Sequence, residues 1–175
     1  SDYVGASLVL KALMFQMTTD YHGDIIFREA FKENTYYFKY DSQLVVYQGV
    51  DSICRLADAY LTKSASETLT LGIGDFVYNG DISKWKKLNY AILAKNFHRF
   101  TNKAGMYNAD SVIKYCDLAM GSVNDDFVIP FDATKNDDAS FYGTYRNNLT
   151  SFRQSNFIVK LLDGTSLTGS STPAT

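Results

Sequence analysis

Neither sign of charge predominates in this sequence. With 17 lysines and arginines against 19 aspartates and glutamates, no long-range field draws the surface toward nucleic acid or anionic lipid, so both drop out as leading partner classes. No uninterrupted apolar run approaches the roughly 20 residues that cross a bilayer. The amino terminus also lacks the basic, apolar and small-residue zones of an export signal, so any anchor or signal is expected outside this stretch. Histidine and cysteine are equally scarce, at His22, His98, Cys54 and Cys116. No cluster with metal-ligand spacing accompanies the two histidines, so no transition-metal centre is expected; the loop aspartates leave calcium open. Each cysteine falls on the apolar face of a predicted helix, the setting of a small hydrophobe rather than a disulfide partner or nucleophile. Gly72, Gly74 and Gly80 lack the spacing and the terminal Lys-Ser/Thr of a phosphate loop, and no cofactor is expected.

What the sequence has in excess is aromatic rings. Thirteen tyrosines and twelve phenylalanines accompany one tryptophan in 175 residues, more than four or five short helices need for a core, so some rings are expected at the surface. The length fits one domain with a substantial core. Residues 3–21 are apolar around most of a helical circumference, with Val4, Leu8, Ala12 and Phe15 on one side and Leu10, Leu13, Met14 and Met17 on another, which predicts a helix between two neighbours. His22-Gly23-Asp24 ends it, and an irregular connection runs from Ile25 to Tyr40. Asp41 or Ser42 is the expected cap of a second helix to Lys63, with Val46, Val50, Ile53, Cys54, Ala57 and Leu61 at helical spacing. After a Ser, Thr and Gly-rich linker over 64–79, Asp81 caps a third helix through about Thr101, with Trp85, Leu88, Ile92 and Phe100 near one face. Asn108 caps a fourth, with Val112, Cys116, Ala119 and Met120 inward and Gly121 as its stop. A polar loop over 122–151 and a short helix from Ser155 to Leu162 follow. Two successive helix pairs predict an all-α architecture like a tetratricopeptide repeat, without that repeat's consensus residues. Residues 1–163 read as part of a larger helical domain and 164–175 as a flexible tail.

Three motifs carry a resemblance. Asp20-Tyr21-His22-Gly23-Asp24-Ile25-Ile26-Phe27-Arg28-Glu29-Ala30 is an Asp-x-x-Gly-Asp turn with a closing Glu-Ala. Tyr40-Asp41-Ser42-Gln43 with Val46-Tyr47 opens the second helix. Asp75-Phe76-Val77-Tyr78-Asn79-Gly80-Asp81 is followed by Lys84-Trp85-Lys86-Lys87. In order and spacing these resemble the SusD/RagB proteins, outer-membrane, cell-surface lipoproteins that capture glycans. Ile26 stands where many relatives have proline. The resemblance implies a non-catalytic chain that binds an oligosaccharide or polysaccharide and passes it to a SusC-like TonB-dependent transporter, touching the membrane only through a lipid anchor outside this sequence. Physically, Gly23 and Gly80 permit positive φ at corners, where Asp24 and Asp81 accept backbone N–H bonds. The motifs therefore read as scaffold, and Trp85 as a core ring rather than a sugar platform.

A glycosidase needs two carboxylates about 5–10 Å apart; the adjacent pairs Asp125-Asp126 and Asp137-Asp138 read instead as solvated turn residues. Residues 132–156 combine rings with planar polar groups, as sugar recognition requires. Phe141, Tyr142 and Tyr145 are the candidate platform, and Asn136, Asp138, Arg146 and Asn147 the candidate polar contacts. The competing assignment has these rings anchoring their own loop. Tyr36-Tyr37-Phe38 is a second candidate. The alternative from another class is a helical-repeat module that binds a protein or peptide on its helix faces.

Overall fold

A computed structural model describes residues 2–63, 71–131 and 155–163. Among them are five α-helices: α1 (Asp2–His22), α2 (Gln43–Lys63), α3 (Ile82–His98), α4 (Ala109–Leu118) and α5 (Asn156–Leu162). Single 3-10 turns lie at Leu71–Ile73 and Val123–Asp125, and Ile25 and Asp41 form an isolated antiparallel bridge. The chain divides into two units, Ser1–Ile129 with α1 to α4 and Pro130–Thr175 with α5. In the second, the short helix expected from Ser155 starts at Asn156, and Ser155 caps it, its Oγ accepting the Ile158 N–H.

α2 follows its sequence pattern closely. Val46, Val50, Cys54 and Ala57 are fully buried, four points on one helical stripe. Its start differs from expectation, because neither Asp41 nor Ser42 caps it through a side chain. Asp24, carried in from the end of α1, accepts the Gln43 N–H at 2.9 Å, while Asp41 turns away to take the Phe27 and Arg28 N–H groups and the Arg28 guanidinium. A corner that brings two aspartates to one helix start leaves each free for a different set of donors.

α1 packs by small residues rather than by the two large apolar faces expected. Gly5, Ala6, Val9, Ala12, Gln16 and Thr19 are buried, whereas Val4, Met14 and Met17 are exposed. The reason is close approach: the Gly5 Cα faces Leu61 of α2 so tightly that a Cβ there would lie 2.6 Å from Leu61 Cδ2. Leu8, Leu10, Leu13 and Phe15 flank that seam half-buried. The pairing is antiparallel, since the start of α1 meets the end of α2 while Asp20, near the end of α1, accepts a hydrogen bond from Tyr47 near the start of α2.

Three buried amides tie α3 to this pair. Gln16 Nε2 donates to Ile92 O at 3.0 Å, Asn89 Nδ2 to Cys54 O at 2.9 Å and Asn96 Nδ2 to Tyr47 O at 3.0 Å. Each reaches a main-chain carbonyl on a neighbouring helix, which fixes register as well as contact. α3 is capped as expected, Asp81 accepting from the Ser83 and Lys84 N–H groups, and it ends at His98, with Phe100 half-buried in the turn beyond.

α4 is rotated from expectation. Asn108 caps it through the Ser111 N–H, but Tyr115 is its buried residue and Cys116 is exposed. Tyr115 stacks on Tyr90 and Phe97 at centroid distances of 6.1 and 5.7 Å. A ring buries several times the apolar area of a thiol, so the aromatic sets the helix's rotation. α4 also stops at Leu118, before Gly121, whose N–H donates to Asp125 rather than closing the helix. With α1 packed on α2 and α3 on α4, the architecture is the all-α, tetratricopeptide-like one that the helix pattern predicts.

Candidate functional site

The third motif is built around a carboxylate. Asp75, 7% exposed, accepts the Val77 and Tyr78 N–H groups on Oδ1, both at 3.0 Å, and the Gly80 N–H and Trp85 Nε1–H on Oδ2 at 2.9 and 2.7 Å. Four donors around one buried anion form a closed corner. Tyr78 meets Trp85 edge to face at 5.3 Å, and its hydroxyl donates to Asp125 O. Trp85, 3% exposed, is thus the core ring expected. Asp125 is not a solvated turn residue: it is buried, pairs with Lys87 Nζ at 2.8 Å and accepts the Gly121 N–H at 3.1 Å. These groups are fully occupied with one another and offer nothing to a ligand.

The first motif begins in a second ionic knot. Asp20 accepts from Arg99 Nε at 3.0 Å and from Tyr47 Oη at 2.8 Å, with Lys95 Nζ at 3.3 Å. Burial alone would raise its carboxyl, but the bonds from Arg99, Tyr47 and Lys95 outweigh burial and hold it below the ordinary range. Asp75 follows the same balance: burial raises it, and its bonds from Tyr78, Trp85, Gly80 and Val77 lower it further. Carboxyls held low in the folded state contribute stability that is complete above their unfolded value and is lost as pH falls through the folded one. The urea midpoint is therefore expected to hold from pH 7 to about 5 and to drop below about 4; a midpoint unchanged at pH 3 would contradict this. Tyr47, Tyr78 and Tyr90 are each pushed up to about 12, first by burial and then by carboxylates. Their contribution is full below about 10 and disappears between about 10 and 12.

The ligand candidates lie elsewhere. Phe141, Tyr142, Tyr145, Arg146, Asn147, Asn136 and Asp138 fall outside the described residues, as do Asp137 and the tail. Tyr36 and Tyr37 are each 92% exposed, with Phe38 half-buried beside them. Their loop is pinned at both ends by the Ile25–Asp41 bridge. It is also held by Phe27, packed edge to face on Phe15 at 4.8 Å. Tyr21, Phe31, Tyr40 and Phe76 are exposed too, so the aromatic excess does reach the surface. A groove of about 430 Å³ runs along α1, lined by Leu10, Lys11, Met14, Phe15 and Phe31 among others. Two clefts sharing Arg99, of about 280 and 340 Å³, open where α1 and α3 end. Sequence patterns did not single out these clefts, because Arg99, Lys103 and Met106 belong to no motif and meet the other helices only through the fold. Among the described residues no group of three or more His, Cys, Asp and Glu gathers as a metal site would require.

Over residues 1–166 the chain matches the model of a family described as SusD-like, starch-binding associating with outer membrane. No curated protein matches it. Among solved structures, a candidate outer membrane protein for nutrient binding from Bacteroides vulgatus superposes with a TM-score of 0.70 at 25% identity, over 92% of this chain and 36% of that one. A chitin-binding SusD homolog from Flavobacterium johnsoniae superposes with a TM-score of 0.62 at 26% identity, over 71% of this chain and 27% of that one. A SusD homolog from Bacteroides fragilis, at 22% identity and a TM-score of 0.61, covers 75% and 29% and shares the fold. The chain therefore spans little more than a third of the first of these relatives, 36% of its length.

Proposed function

Because the chain belongs to the SusD-like family, we propose that it forms a helical part of a cell-surface protein that captures glycans at the outer membrane. In this reading the protein is lipid-anchored through a segment beyond this sequence. It hands its ligand to a SusC-like TonB-dependent transporter and makes or breaks no bond.

The observation that carries the reading is the pair of rings at Tyr36 and Tyr37, 92% exposed on a loop tied down by the Ile25–Asp41 bridge. Rings that bury almost none of their area add little to the core, yet their flat apolar faces match the C–H face of a pyranose, and a pinned loop limits the entropy lost on binding. Phe141, Tyr142 and Tyr145, with Asn136, Asp138, Arg146 and Asn147, supply a second platform of the same chemistry by residue type. Alanine at Tyr36 and Tyr37 together, or at Phe141, Tyr142 and Tyr145 together, is expected to lower affinity for a bound oligosaccharide at least tenfold, about 1.4 kcal/mol, with the urea midpoint unchanged. If both sets bind like the parent, the assignment of these rings fails.

The groove along α1, with Leu10, Met14, Phe15 and Phe31 on its walls, favours a second reading, a helix face that binds a protein. Met14→Glu would release a partner held there and leave a ring-bound glycan in place. Loss of glycan affinity in Met14→Glu would count against that division of surfaces.

A further inference from the structure

Three helix ends meet on one side of the four-helix unit, the last turns of α1 and α3 and the first turn of α2, and the two clefts that share Arg99 open there. The larger, about 340 Å³, has an apolar wall of Leu44, Phe100 and Met106, with Arg99 and Lys103 beside it. That volume lies at the lower end of the roughly 300–1,000 Å³ typical of small-ligand sites. The charged side chains lining the two clefts are Lys95, Arg99 and Lys103 against Asp20 and Asp24. Asp20 is already engaged by Arg99 and Lys95, and Asp24 accepts the Gln43 N–H at the start of α2. Lys103 is exposed, and among the described residues its ammonium is taken up by no ion pair.

From this we infer that the cleft takes an anionic sugar unit, its ring against Phe100 and Met106 and its carboxylate or sulfate toward Lys103 and the outer edge of Arg99. A neutral sugar would use the same apolar wall and leave the odd cation with water alone. The inference rests on the glycan-capture reading and adds the class of sugar. Lys103 is the specificity residue. Arg99 is not a useful probe, because its guanidinium also holds Asp20 and with it the end of α1.

The test is calorimetric titration of the protein with oligogalacturonate, with sulfated carrageenan oligosaccharide and with neutral chito-oligosaccharide of matched length, at low and high salt. An anionic ligand is expected to bind roughly fivefold or more tightly than the neutral one at low salt, with the preference shrinking at high salt. Lys103→Ala should erase the preference and leave neutral binding intact, while Lys114→Ala, a control lysine on α4 outside these clefts, should change nothing. Whether the carboxylate or the sulfate ligand binds tighter identifies the anion. Equal binding of anionic and neutral ligands, or a preference untouched by Lys103→Ala, overturns the inference and leaves glycan capture standing. If no glycan of any class binds, the capture reading falls with it.

Discussion

Asp75→Ala is expected to lower the stability of the folded chain by about 3–5 kcal/mol, because it strips one buried anion from four donors at once. The Val77, Tyr78 and Gly80 N–H groups and the Trp85 indole all point at this carboxylate, and at 7% exposure the site leaves little room for solvent to replace it. A loss of that size is a large share of the 5–15 kcal/mol that typically holds a domain together. Asp75→Asn keeps the shape but turns an N–H toward donors, so it should fall between the parent and the alanine variant. By comparison Asp81→Ala removes a single helix cap and should cost about 1 kcal/mol. Trp85 is the one tryptophan and donates directly to Asp75, so urea unfolding followed by its fluorescence reports on this corner. A loss below about 1 kcal/mol for Asp75→Ala would show that the corner does not hold the third motif in place.

Gly80→Ala and Gly23→Ala separate two reasons for a glycine. Both sit at positive φ, +84° and +76°, a conformation that costs a side chain about 1–2 kcal/mol. At Gly23 nothing lies within 4 Å of an added Cβ, whereas at Gly80 it would meet Gly72 N at 2.7 Å and Gly72 Cα at 2.9 Å. Those neighbours are backbone and cannot rotate aside. Gly23→Ala is therefore expected to cost about 1 kcal/mol, and Gly80→Ala about 3–5 kcal/mol once overpacking is added to the strain. Thermal or urea unfolding of the pair checks the difference. Equal losses would mean that the turn at 71–80 yields as easily as the open corner after α1.

Where the sequence pattern succeeds and where it misses has a common physical cause. α2 carries its core in one stripe, so spacing alone places Val46, Val50, Cys54 and Ala57 inside. The caps Asp81 and Asn108 were equally legible, because a cap is a local bond between residues two or three apart. α1 defeats the same reasoning. Its large apolar residues suggest the buried faces, but the partner helix approaches so closely that only Gly5, Ala6, Val9 and Ala12 fit the seam. In α4 a cysteine and a tyrosine stand one position apart, and the stack of Tyr115 between Tyr90 and Phe97 decides which turns inward. Asp24 reaching Gln43, Gln16 reaching Ile92 and Arg99 reaching Asp20 span 19, 76 and 79 positions. No local pattern contains such pairings. The motifs were legible as corners, as the Asp75 site confirms, and the clefts at Arg99 were not, because they exist only once three helix ends have met.

As proposed, the protein captures a glycan and leaves its bonds intact. The most direct test of this is a glycan-array screen of the protein, with each hit followed by titration and a reducing-end assay on the recovered ligand. Saturable binding to at least one glycan is expected, weakened by alanine at Tyr36 and Tyr37, with the ligand recovered at its original length. New reducing ends that depend on Asp126 or Asp138, or an array with no hit, would contradict it.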